Sequence, residues 1–450
     1  MLRPPIRGAR VKPKAPVPSL LLKGGTVVDP AVGFYAVSDV LIEGGRVTVV
    51  ERGLHRSACR TIDCRGLFVV PGLIDMHVHL REPGLEGKET IRTGTRAAAA
   101  GGFTSIACKA NTGQFIDNEA ALEYVRFIAD YQGLVNVFPI AAVTRGLASL
   151  GVAPFHELRE AGAVAVSDDG HPVHGTSLLA GALAYARDLG FLVISHAEDE
   201  LLSAGGVVSE GIFATLSGLE PIPPEAEEVG TARDILLARR AGVPLHIDHV
   251  STARSVELIR RYKALGCDLS AEAAPHHFAL DTSALAPSFD ARMKMNPPIR
   301  SPEDRRAVVA GLIDGTLEVI ASDHAPHTVA EKDLPIQRAP FGVVGLETML
   351  GLTLTELVEP GHLSFAQAMA KLSTNPARRL DLPGRGGLVP GSVGDVTIID
   401  RGLRWTVDPA DFVSKGANTP FAGRELIGRA VGTIVGGRVV AEKGELLETN

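Results

Sequence analysis

Apolar positions fall along this chain in two textures. Near the start, Leu20-Leu21-Leu22, Thr26-Val27-Val28 and Val40-Leu41-Ile42 are short runs broken by Gly24-Gly25 and Gly44-Gly45. Near the end, Asp395–Asp400 and Gly432–Val440 repeat that pattern, with Gly436-Gly437 between two runs. Runs of this kind predict strands, and the Gly-Gly pairs predict hairpin turns. The middle differs: apolar runs alternate with helical stretches, as in βα units around a parallel sheet. The candidate strands there are Val69–His79, Thr104–Lys109, Val135–Val143, Val164–Ser167, Phe191–His196, Val243–Val250, Asp268–Ala273 and Val319–Ser322. Eight such units predict an α/β fold, a (β/α)8 barrel whose working face lies at the C-terminal ends of the strands. The expected division is a barrel over residues 71–385 and a small β-sandwich built from residues 20–70 and 386–450. Residues 1–19 are basic, Pro-rich and free of acids, and are expected to form a disordered tail.

Composition narrows the function classes. A net charge of −7 argues against a nucleic-acid surface, and no apolar run reaches the length of a membrane span. Cys59, Cys64, Cys108 and Cys267 are scattered without metal-ligand spacing, so reduced thiols in a cytoplasmic protein are expected.

The chemistry gathers at the predicted strand ends. The first run closes in His77-Val78-His79, two imidazoles that a strand points to one side, as a shared metal ion requires. Arg81 follows, a fixed cation able to read an anionic substrate. The fourth run enters Asp168-Asp169-Gly170, the fifth ends at His196, the sixth at His249, and the eighth at Asp323 and His327. One histidine after a strand is an ordinary structural residue, and Asp-Asp-Gly is an ordinary turn. Five such coincidences on one barrel face are a site. Four histidines and two aspartates suit zinc, and manganese or cobalt would also accept them. With this many donors, one carboxylate can bridge two ions about 3.5–4 Å apart. His246 should face away from His249, and His55, His156 and His362 should lie at the surface.

The motifs Asp75–Gly84, Ser167–Gly170, His249–Thr252, Pro275-His276-His277, Lys294–Arg300, Ser322–His327, Ala339–Gly342 and Asn418–Phe421 together resemble the dihydroorotases of the amidohydrolase superfamily, in their longer bacterial form. The resemblance runs from about Leu20 to the C-terminal region. It implies two zinc ions per chain: His77, His79 and Asp323 on one, His196 and His249 on the other, bridged by Asp169 and a hydroxide. The resemblance selects Asp169 over Asp168; strand alternation leaves that choice open in a loop. It implies that hydroxide attacks a ring carbonyl and that Asp323 acts as general acid and base. The reaction implied is reversible cyclisation of N-carbamoyl-L-aspartate to L-dihydroorotate, the third step of de novo pyrimidine synthesis. Arg81 and Asn111 would hold the substrate carboxylate, and His327, Asn296 and the backbone of Pro340-Phe341-Gly342 the rest of it. A homo-oligomer is expected, as is association with aspartate transcarbamoylase.

The chain departs from the family where Lys109-Ala110-Asn111-Thr112 replaces the usual Met-Pro-Asn-Thr, which brings a charge close to the metal face. Two other readings compete. A cyclic amidase for a carboxylate-free ring, such as a hydantoinase, would have no use for Arg81. An inactive scaffold for aspartate transcarbamoylase would have lost ligands, yet all six positions are filled here.

Overall fold

The computed structural model describes residues 17–56, 59–285 and 289–447. Most of the basic tail expected over residues 1–19 lies outside the described residues.

Eight parallel strands form the barrel: Leu73–Val78, Phe103–Cys108, Asn136–Ala141, Ala165–Val166, Leu192–Ser195, Leu245–Ile247, Leu269–Ala273 and Val319–Ile320. They pair in chain order, and a parallel bridge between Val78 and His324 closes the ring, with His79 N donating to His324 O at 2.9 Å. Seven of the strands lie inside the runs predicted from sequence and are shorter than them; the second, Phe103–Cys108, begins and ends one residue before the predicted Thr104–Lys109. The difference is physical. Past the C-terminal ends of the strands, His79, His196 and Asp323 lie outside the ladder and face the barrel mouth. Helices such as Ile91–Ala100, Glu119–Gln132, Thr176–Leu189 and Pro224–Ala241 follow the strands and pack Ala97, Leu122, Leu183 and Ile235 against the barrel in a common apolar core.

Both chain ends join one nine-stranded sheet. Phe68–Pro71 is its hinge strand, parallel to Leu20–Asp29 on one side and antiparallel to Val396–Thr406 on the other. The sheet curls until its hairpins meet: Gly394 N donates to Gly45 O, and Gly437 N to Gly394 O. The curled faces enclose Leu22, Val40, Val47, Val69, Ile398 and Ile434.

Two details correct the sequence reading. The run Val69–His79 is not one strand, because the chain leaves the terminal sheet at Pro71 and enters the barrel at Leu73. Gly72 makes the step; a Cβ there would stand 2.1 Å from Thr104 Oγ1. Of the Gly-Gly pairs, Gly44-Gly45 and Gly436-Gly437 turn hairpins as expected. Gly24-Gly25 instead lies in a bulge inside the strand Leu20–Asp29, where the register shifts between Leu22 and Gly25. The reason is crowding: a Cβ on Gly25 would stand 2.6 Å from Val69.

Candidate active site

The strand ends bring His77, His79, Asp169, His196, His249 and Asp323 together, all buried. Asp169 divides this group. Its Oδ2 faces His79 Nε2 (3.3 Å) and His77 Nε2 (3.4 Å). Asp323 Oδ1 closes that side at 3.4 Å from each of the same two nitrogens. The other oxygen of Asp169, Oδ1, faces His196 Nδ1 and His249 Nε2, each at 3.5 Å. Asp168 is turned away: its carboxylate accepts from Val143 N (2.6 Å), Thr144 N and Thr144 Oγ1, which fastens the preceding loop.

These spacings provide a test of metal fit. Donors about 2.0–2.1 Å from one tetrahedral ion lie about 3.3 Å from each other. His77 Nε2 and His79 Nε2 each keep that separation from Asp169 Oδ2 and Asp323 Oδ1. His77 Nε2 and Asp169 Oδ1 are buried atoms with no hydrogen bond, an unfavourable state that a cation would relieve. On the His77, His79 and Asp323 side the donor set fits a divalent metal; on the other side His196 Nδ1 and His249 Nε2 stand 2.8 Å apart, bonded to each other.

The remaining ring nitrogens are fixed from behind, as ligand orientation requires. His77 Nδ1 donates to Glu272 Oε1 (2.7 Å), His79 Nδ1 to Asn111 Oδ1 (2.7 Å), and His196 Nε2 to Glu198 Oε2 (2.9 Å). Each bond sets the tautomer that aims the other nitrogen inward. Asn111 also donates to Asp169 O (3.2 Å), so its amide ties a histidine to the central aspartate while lining the cavity. Burial opposes ionisation of Asp323, yet His77, His79, His249 and His276 around it hold its carboxyl well below the usual range.

Below the histidines lies a charged layer inside the barrel. Lys109 is 1% exposed, and its Nζ donates to Asp248 Oδ2 at 2.6 Å. Asp248 Oδ1 stands 3.5 Å from His77 Nδ1. His246 does not reach the metal-facing group; it pairs with Ser270 Oγ (2.7 Å) and Glu272 Oε2 (3.1 Å). Sequence reasoning missed Asp248, Glu272 and Glu198. A charged residue within or beside an otherwise apolar barrel strand was the available signal.

The mouth is a cavity of about 200 Å³ lined by His79, Arg81, Asn111, Asp169, His196, His249, Asn296, Asp323, His327, Phe341 and Gly342. It is smaller than the ~300–1,000 Å³ of drug-sized sites, which suits a small ring. Arg81, at φ 63°, donates from Nε to Pro326 O (3.2 Å). Burial lowers its pKa to about 10, so it stays cationic at neutral pH. Burial, with Arg81, Lys88 and Lys332 nearby, lowers His327 to about 3; the neutral ring donates from Nε2 to Phe341 O (2.7 Å). Asn296 Nδ2 donates to Glu198 Oε2 (3.0 Å). Gly342, at φ 132°, lets the backbone pass where a Cβ would stand 2.7 Å from Ala325. Pro340 stands behind this edge with its carbonyl turned to Lys332. His55, His156 and His362 are exposed, as expected.

A parallel barrel with a histidine–aspartate cluster at its mouth, able to hold metal, defines a hydrolase of the amidohydrolase class. Comparison with known proteins agrees: residues 66–255 match the dihydro-orotase-like family and residues 223–441 the amidohydrolase family. The chain is 54% identical to a dihydroorotase of Pelotomaculum thermopropionicum over 94% of its length and 98% of that protein. It is 49% identical to a dihydroorotase of Geobacter metallireducens, covering 94% of this chain and all of the other. Among solved structures, the L-hydantoinase (dihydropyrimidinase) of Arthrobacter aurescens superposes with a TM-score of 0.86 at 28% identity, covering 95% of this chain and 97% of that one. The chain belongs to the dihydroorotase family of amidohydrolases, and it is an enzyme.

Proposed function

We propose that this enzyme interconverts N-carbamoyl-L-aspartate and L-dihydroorotate with two zinc ions. His77, His79 and Asp323 would hold one ion, His196 and His249 the other, with Asp169 between them. The observation that carries this reading is the division of Asp169, one oxygen toward each histidine pair, in a cavity that also contains a buried guanidinium.

When bound, such a pair activates a water at neutral pH and polarises a carbonyl oxygen. The chain's own groups do the rest. Arg81 presents a planar fork to the substrate carboxylate, the group that separates dihydroorotate from a hydantoin. Asn111 reaches the same region while it holds His79. Asp323, its carboxylate kept ionised among the histidines, would take the proton in ring opening and deliver it to the departing ring nitrogen. In cyclisation the transfers reverse. Asn296, His327 and the Phe341-Gly342 backbone orient the ring.

A homo-oligomer working in the cytoplasm and associating with aspartate transcarbamoylase belongs to the same reading, as the resemblance to the longer bacterial form implies. Among the described residues no helix is long and apolar enough to cross a membrane.

The test is a substrate comparison on the purified chain: dihydroorotate hydrolysis and carbamoyl-aspartate cyclisation against hydantoin hydrolysis. Turnover in both directions with little on hydantoin is the expected result. Preference for the carboxylate-free ring would overturn it.

A further inference from the structure

We propose that Lys332 is a positioning residue that ties together the two backbone segments gripping the substrate ring. The assignment rests on the reading above, in which Asn296 and the Phe341-Gly342 backbone hold that ring.

Lys332 ends the short helix Val329–Lys332 and is buried. Its ammonium has three N–H donors and finds three backbone carbonyls: Pro340 O at 2.8 Å, Ala291 O at 3.0 Å and Lys294 O at 3.2 Å. Two of these lie on the segment that leads into Asn296. The third lies one residue before Phe341. Lys294 O also accepts from Gly342 N at 3.0 Å, so one carbonyl joins the ammonium to the ring-binding edge. Lys294 reinforces the tie from the other side. Its Nζ donates to Ile336 O (2.9 Å) and lies 4.4 Å above the centre of the Phe341 ring.

Among the described residues the Lys332 ammonium itself bonds none of the metal-facing side chains. Lys332 has no carboxylate partner within hydrogen-bond reach among the described residues; its neighbour Glu331 pairs with Lys88 at 2.8 Å. A buried ammonium satisfied only by carbonyls is costly to desolvate, and burial lowers its pKa to about 7. A methionine of similar length would fill the space at lower cost to folding. What the lysine adds is a fixed distance between the two segments.

Removing the tie loosens a contact made equally to substrate and transition state, which raises KM and spares kcat. Lys332→Met is therefore expected to raise KM for dihydroorotate about tenfold, with kcat and zinc content close to the unsubstituted enzyme's. Lys332→Gln, which keeps N–H donors without the charge, is expected to fall between. An unchanged KM in a folded Lys332→Met enzyme would overturn the proposal. So would a joint fall of kcat and zinc content, or failure of both variants to fold, since either makes Lys332 a residue of general structure. Absence of dihydroorotate turnover in the unsubstituted enzyme is a separate result, and it removes the underlying reading first.

Discussion

Lys109 and Lys332 are both buried ammonium groups at the C-terminal end of the barrel, yet they are satisfied in opposite ways. Lys109 sits below the histidines against Asp248, and although burial opposes its charge, Asp248, Asp169 and Glu272 raise its pKa. Lys332 sits above them among carbonyls, and burial and Lys294 lower its pKa to about 7 against the weaker pull of Asp290 and Glu331. The floor is a set of charges that hold one another on the strands and just past their ends. The rim is loop backbone gathered around cations. Damage to the floor should therefore appear as lost stability or metal, and damage to the rim as weakened substrate binding.

The largest effect is expected at the floor. Lys109→Met leaves Asp248 buried without its partner and should destabilise the fold by about 3–5 kcal/mol, measured by urea unfolding. Replacing both partners, Lys109→Met with Asp248→Leu, should recover much of that loss. If the single variant unfolds at the same urea concentration as the parent, the floor is not held by this pair.

Next comes the rim. Arg81→Lys keeps the charge but loses the fork, and should lower kcat/KM for dihydroorotate about 100-fold, the ~2–3 kcal/mol of charge-assisted hydrogen bonds. Zinc content should not change. Equal loss toward a carboxylate-free ring would deny Arg81 its role in reading the carboxylate.

Glu272→Gln sharpens the boundary between the two regions. It weakens the partner of His77 Nδ1, and zinc affinity should fall about 10- to 100-fold while KM at saturating zinc stays the same. Competition with a fluorescent chelator would measure it.

The last effect concerns the outer support of the rim. Glu347 accepts from Val413 N (2.9 Å) and Ser414 N (3.1 Å), close to Asn418, whose amide donates to Gly342 O (3.0 Å). Burial raises Glu347 to about 7 from 4.5. A raised carboxyl stabilises the fold fully below pH 4.5, and that contribution is lost as pH climbs through about 7. Glu347→Gln mimics the protonated form. Its stability relative to the parent should improve by on the order of 3 kcal/mol between pH 4.5 and 8, then level off. A pH-independent difference would contradict the shift.

The eight barrel strands were legible because parallel strands buried on both faces read as apolar runs. The histidines at their ends were legible because a polar residue closing such a run is conspicuous. Asp169 was separated from Asp168 by resemblance; the structure adds the physical ground, since Asp168 is consumed by Val143 and Thr144. Lys109 could be singled out but not placed, because its partner Asp248 is 139 residues away. Glu272 is 195 residues from His77 and carries no local pattern. The split at Gly72 was hidden for a related reason: Phe68–Pro71 and Leu73–Val78 form one apolar run, and only their different pairing partners divide it.

The most direct test of the account is a calorimetric titration of the metal-free enzyme with zinc. The division of Asp169 between two histidine pairs predicts two zinc ions per chain. Saturation at a single ion, or none, would contradict it.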